Sequence, residues 1–226
     1  MLLTVTISVI LLTLSLVYFL IQELREIVYL KRILHNTIGK GKIKTLEDII
    51  KIKNFLNHNI SYDAESKTEN RPLLRHTAKQ ILKSGYGFCG ENARVAIKLF
   101  LLARMKAGRI YLYRKEWQHV LVEHQLGENW YMFDGHYDEN TLLHDDNVAS
   151  IHSENIRSYP DHYPSNPYLD FCRIKIIYKL PVLRLYSKIR LPSFLVYILE
   201  SPNLIKALGC LVLIGACVVI SYSFGK

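Results

Sequence analysis

The sequence predicts an α+β domain held between two membrane-spanning helices, and three observations carry that expectation. Segments without a charged side chain stand at both ends, Met1 to Ile21 and Ala207 to Phe224. Between them, apolar residues recur first at helical spacing and then, beyond Gly108, at every second position. Helices followed by strands, rather than alternating with them, indicate helices packed on an antiparallel sheet.

The first segment has the roughly 20 apolar residues that a bilayer-spanning helix needs. It lacks the basic start and small-residue cleavage site of a secretory signal, so it reads as an uncleaved anchor. The second is bracketed by Lys206 and Lys226 and is long enough to span with little tilt, a re-entrant helix being the alternative. Arg25, Lys31, Arg32 and Lys40 follow the first span, and Lys188, Arg190 and Lys206 precede the second. Basic residues accumulate on the cytoplasmic side, which places the middle of the chain in the cytoplasm and both termini outside.

The expected divisions are a transmembrane helix over 1–21, a juxtamembrane helix and linker over 22–44, one domain over 45–180, an amphipathic connector over 181–206 and a second transmembrane helix over 207–224. A chain of 226 residues has room for one such domain. The net charge of +9 sits largely beside the membrane segments and is read as attraction to anionic lipid. No nucleic-acid-binding motif accompanies it. Four cysteines, Cys89, Cys172, Cys210 and Cys217, include no CxxC pair, so neither a disulfide framework nor a zinc site is implied.

Each element has a local reason. Leu24, Ile27, Val28 and Leu34 continue the first helix past the membrane until Gly39-Lys40-Gly41 stops it. Thr45 is a good N-cap for a second helix, with Glu47 and Asp48 in its first turn. A polar loop is expected over Asp63 to Pro72. Thr77 and Gln80 form a capping box for a short helix that Gly85 closes. Gly90 to Lys106 is free of proline and internal glycine before Gly108, and its apolar face predicts a buried helix. Strands are expected at Arg109 to Arg114, His119 to Gln125, Asn129 to Asp134 and Arg173 to Tyr178, with a tight turn near Gly127 and a long loop over 135–170. Arg184 to Leu199 reads as the amphipathic connector.

The stretch Gly85-Tyr86-Gly87-Phe88-Cys89-Gly90 sets a cysteine in the first turn of the buried helix, where unpaired N–H groups and the helix dipole favour a thiolate. Gly87 and Gly90 would give the backbone a sharp turn and a substrate close approach. On its own the stretch is better accounted for by a structural cysteine at a helix start. A nucleophile needs a base oriented by a third group. His119 and His124 share one strand and Asp134 ends the next. If Gln125 faces Glu128, His119 lies directly opposite Asp134, and a two-residue slip would make them diagonal neighbours on one face. His124, of opposite parity, is read as a surface or packing histidine.

Those residues resemble the transglutaminase-like superfamily, with its papain-like arrangement of a glycine-flanked cysteine opening a helix, a histidine beginning a strand and an aspartate ending the next strand behind a tryptophan. The matching stretches are GYGFCGENARVAIKLFLLARMKAG, HVLVEH and NWYMFDGHYD, with NISYD and TAKQILKSGYGFC upstream, so the resemblance covers roughly Leu46 to Asp138. It implies Cys89 as nucleophile, His119 as general base and acid, and Asp134 as the carboxylate that orients the imidazole. It further implies a membrane-bound cysteine peptidase or amidase, or else an amine-accepting transglutaminase or a non-catalytic adaptor, acting on a peptide or protein without a cofactor or metal. A bacterial inner membrane is the expected setting, and a larger membrane protein complex a conceivable partner.

Two departures stand out: the Cys89-to-His119 spacing is short, and no tryptophan precedes Cys89. The N–H of Cys89 supplies one oxyanion donor, and Gln118, Trp117 and Tyr86 are candidates for the second. His136, Asp138, His144, Asp145, Asp146 and His152 match no metal-ligand spacing and read as solvated loop.

Overall fold

The computed structural model describes residues 2–39, 41–62, 76–113, 118–135 and 170–224. In chain order they form α1 (Leu2–Ile38), α2 (Leu46–Asn59), α3 (Ala78–Ser84), α4 (Cys89–Leu102), β1 (Ala107–Tyr113), β2 (Gln118–Leu126), β3 (Asn129–Phe133), β4 (Asp170–Cys172), α5 (Lys175–Tyr178), a 3-10 helix (Pro181–Lys188), α6 (Ser193–Leu199) and α7 (Pro202–Phe224). The four strands make one antiparallel sheet in the order β3-β2-β1-β4. The expected loops over 63–72 and most of 135–170 lie outside the described residues.

Local chemistry sets the element starts as expected. Thr45 and Asp48 form a reciprocal capping box on α2, and Thr77 and Gln80 do the same on α3. Gly39 and Gly85 follow α1 and α3 in the left-handed conformation, at φ 69 and 73. The N–H of Gly85 closes on the Ile81 carbonyl.

Helix α4 packs on the sheet. Val95, Ala96, Leu99 and Phe100 are buried with Val120, Val122 and Phe133, and the Phe100 and Phe133 rings meet edge to face at 5.2 Å. Each such large side chain contributes about 1.5–3 kcal/mol by leaving water. The helix stops at Leu102 rather than Lys106. Met105 N–H reaches Phe100 O and Arg104 N–H reaches Leu101 O, the paired bonds of a Schellman motif. Arg104 takes the left-handed position at φ 66, where glycine is usual, so the stop carries no glycine to reveal it.

The β2–β3 turn settles the register. Leu126 pairs with Asn129 and Gln125 with Trp130, so Gly127 and Glu128 form the loop. A two-residue hairpin needs positive φ at its first loop residue, and Gly127 supplies it at 62. The direct His119–Asp134 alignment would have put Leu126 at that position. The observed register is therefore the two-residue slip.

One further expectation is corrected. The segment Arg173 to Tyr178 is not a strand: β4 ends at Cys172, and the N–H groups of Arg173 and Ile174 both turn to Ser187 O before α5 begins. The connector over Arg184 to Leu199 consists of the end of the 3-10 helix and α6, with Pro192 between them.

Helices α1 and α7 are both long and apolar enough to cross a membrane. At 1.5 Å per residue α1 is about 55 Å long, well beyond the ~30 Å hydrocarbon thickness. They run antiparallel, since Asn203 donates to Glu26 and, further along α7, the Lys206 ammonium lies over the Phe19 ring. The inner end of α1 is bound to the domain through charge. Lys98 of α4, fully buried, bonds Glu23 at 2.8 Å and Glu26 at 3.1 Å. Tyr197 of α6 donates to Glu23, and the first N–H of α3, Ala78, donates to Glu26. Removing one member of such a buried set leaves an uncompensated charge, typically about 3–5 kcal/mol.

Candidate active site

Cys89 opens α4 after the N-cap Phe88, whose backbone is extended. Glu91 turns back to cap this end: one carboxylate oxygen accepts from the Phe88 N–H at 3.0 Å and the other contacts His76 Nδ1 at 2.9 Å. The first-turn N–H groups of a helix lack intrahelical acceptors, so those of Cys89 and Gly90 are directed outward. The glycines have other work than expected. Neither Gly87 nor Gly90 has positive φ; the left-handed turn is made by Gly85. A Cβ at Gly87 would come within 3.2–3.3 Å of Ile81, Ile60 and Glu91, and one at Gly90 within 3.1 Å of Arg109 Nη1. Both glycines thus clear space for packing.

His119 begins β2 with 4% of its surface exposed, and its Nε2 meets Asp134 Oδ2 at 2.5 Å. Asp134, 1% exposed, follows the last residue of β3, diagonally across the hairpin. The Cys89 thiol is near enough to the same imidazole to act on its charge. With Nε2 on the carboxylate, Nδ1 is the ring nitrogen left for another partner. Burial works against an imidazolium here, but Asp134 and then Cys89 outweigh it and push the His119 pKa up to about 10.

Asn92 holds the two halves of this arrangement together, and the sequence reading passed over it. One turn after Cys89 and 1% exposed, it donates Nδ2 to Gly135 O at 3.0 Å, joining the start of α4 to the end of β3. A Cβ at Gly135 would fall 2.0 Å from Asn92 Oδ1, so only glycine fits there. A polar amide on an otherwise apolar helix face, paired with the Asp134-Gly135 dipeptide, was the available clue. Tyr62 was passed over as well. Its ring meets Phe88 edge to face at 5.8 Å, and burial followed by the neighbouring Cys89 raises its phenol pKa. The chain is brought there by pairing of Ser61 with Tyr86, through Ser61 N–H to Gly85 O and Gly87 N–H to Ser61 O.

Of the oxyanion candidates, Tyr86 is 55% exposed, Trp117 lies outside the described residues, and only the backbone of Gln118 is described, paired with Tyr113. The acidic and histidine-rich stretch from His136 to His152 also lies outside them. His124 is wholly buried among Phe100, Tyr131 and Phe133, which makes it a packing residue and not a surface one. Burial alone lowers its pKa to about 3. Cys172 is buried, and burial pushes its thiol pKa up.

No known protein-family pattern and no curated protein sequence matches the chain. Among solved structures, the chain is similar to the crystal structure of a "putative cysteine protease" from Cytophaga hutchinsonii, with a TM-score of 0.40 and 19% identity. The match covers 48% of this chain and 37% of that one.

Proposed function

We propose that the chain is a membrane-anchored thiol enzyme of the transglutaminase-like type, cleaving an amide with Cys89 as nucleophile, His119 as proton carrier and Asp134 as its orienting carboxylate. The observation that carries this reading is the buried His119 bonded to Asp134, with the Cys89 thiol at the start of α4 near enough to raise its pKa. With His119 already protonated, the Cys89 thiolate attacks the amide carbonyl carbon. The C–N bond breaks as the imidazolium gives its proton to the leaving amine. Water, losing a proton to the now neutral His119, then opens the thioester and releases the acid and the thiolate. The Cys89 N–H is one donor assigned to the oxyanion, and the second is the Tyr62 phenol, half-exposed like Tyr86 but sensing Cys89 through its raised pKa; Tyr62→Phe is expected to lower kcat by roughly 10- to 100-fold with little change in KM.

An amine acceptor in place of water would make the same thioester a transamidation intermediate. Hydrolysis is the preferred outcome, in keeping with the peptidase-type members that the sequence resembles. The two terminal helices support membrane attachment, and the basic residues beside them support a cytoplasmic domain.

The test is alkylation followed by trapping. Cys89 is expected to react with iodoacetamide near neutral pH at least tenfold faster than Cys172, and His119→Ala to abolish the difference, with peptide-amide turnover lost in Cys89→Ser. Equal slow labelling of both cysteines would overturn the nucleophile and leave a non-catalytic adaptor.

A further inference from the structure

From Arg173 to Leu199 the chain carries six basic residues and no acidic one. Four of the six are balanced in the fold: Arg173 and Arg190 share Glu123, and Arg184 and Lys188 share Asp170. Among the described residues no carboxylate pairs with the other two, Lys175 and Lys179. Both stand at a cavity of about 500 Å³ between β1, α5 and α6, within the size range of small-molecule sites.

The wall of this cavity is aliphatic, formed by Ile174, Ile176, Leu191, Val196 and Leu199. At its floor Arg109 is paired with Glu200. Ile176 at the cavity is 79% exposed, and the 3-10 helix that follows α5 exposes Val182 at 88% and Leu185 at 82%. Exposed aliphatic side chains with a basic rim beside a spanning helix are what an in-plane contact with an anionic bilayer surface requires.

We infer that this cavity binds one anionic amphiphile, its acidic head between Lys175 and Lys179 and its alkyl chain along the aliphatic wall. The inference rests on the membrane placement proposed above and not on the thiol chemistry. Arg109 and Tyr111 line the cavity, and Gly90 lies against Arg109 while Tyr111 and Cys89 both border the main core. The bound molecule therefore sits beside the thiol's helix.

The experiment is native mass spectrometry of the full chain released from nanodiscs of equal phosphatidylglycerol and phosphatidylcholine. One phosphatidylglycerol is expected to remain bound, enriched about tenfold over phosphatidylcholine, as two lysines near a headgroup imply. Lys175→Gln with Lys179→Gln should return the retained lipid to the bulk ratio. Lys42→Gln with Lys44→Gln removes equal charge from a different hollow and should leave the enrichment intact. A parallel arm adds oleate to pure phosphatidylcholine discs; an oleate adduct without phosphatidylglycerol enrichment in the first arm assigns the site to a free acid. Enrichment that survives the Lys175/Lys179 change, or falls equally in both variants, overturns the site, as does retention of neither lipid nor oleate. Cys89→Ala should retain lipid as the wild type does, so failure of the thiol reading and failure of this site are read separately.

Discussion

The two histidines of β2 sit five residues apart, are both buried, and have been driven in opposite directions. His119, against Asp134 and the Cys89 thiol, is held as an imidazolium up to about pH 10. His124, against Phe100, Tyr131 and Phe133, is held neutral down to about pH 3. Burial acts on both in the same sense, against the charge. The difference is one carboxylate, and it outweighs burial because a charge partner in contact gains strength from the same low dielectric that penalises an isolated charge. Chemistry is assigned to the end of the strand where a partner was supplied, and packing to the end where none was.

The comparison is broken most severely by Asp134→Asn. Turnover is expected to fall by roughly 10³ to 10⁴, and the His119 titration, followed by NMR of labelled imidazole, to move well below pH 10. A variant that keeps either value would show that Asp134 does not set the state of His119. Because the His119 pKa is raised, its contribution to stability is complete below the ordinary value of about 6.5 and is lost as pH rises through about 10.

His124 has the opposite sign. Its pKa is depressed, so its neutral packing contributes fully above pH ~6.5 and is lost as pH falls through about 3. Replacing it with Leu should flatten the acid limb of stability by a few kcal/mol while leaving turnover within about twofold. Denaturation scans from pH 7 to pH 4 check this, and an unchanged acid limb would count against a neutral buried imidazole.

Gly135→Ala tests how the charged end is held. The added methyl collides with Asn92, and a loss of about 2–3 kcal/mol is expected, with reduced turnover. Adding Asn92→Ala should recover part of both losses, a non-additivity that a double-mutant cycle measures. The smallest effect belongs to the other end of α4, near His124. Arg104→Gly relieves a left-handed non-glycine residue and should raise stability by about 0.5 kcal/mol without altering turnover.

Much of this was legible locally. The apolar termini, the Thr45 and Thr77 caps, the glycine stops at Gly39 and Gly85, the cysteine at a helix start and the shift from helical to alternating spacing depend on near neighbours in the chain, and sequence displays those directly. The order Cys89, His119, Asp134 could be read in the same way. The register could not be chosen in advance between two alignments that keep the same face, although Gly127 held the clue through its positive φ. The end of α4 was misread because Arg104 stands where a glycine would have announced the stop. The strand expected over Arg173 to Tyr178 had a strand's alternation, but its first two N–H groups bond Ser187, fourteen and thirteen residues onward.

By itself the sequence determined which segments are apolar enough to span, where helices start, and which residue types stand ready for thiol chemistry. Only the tertiary structure decided that Lys98 is buried against Glu23 and Glu26, that Asn92 ties α4 to Gly135, that Glu200 is shared by Arg94 and Arg109, and that two lysines are left over at a cavity. The reason is physical. Propensity and capping are settled within a turn or two of chain, whereas the state of a buried charge depends on what long-range packing sets beside it.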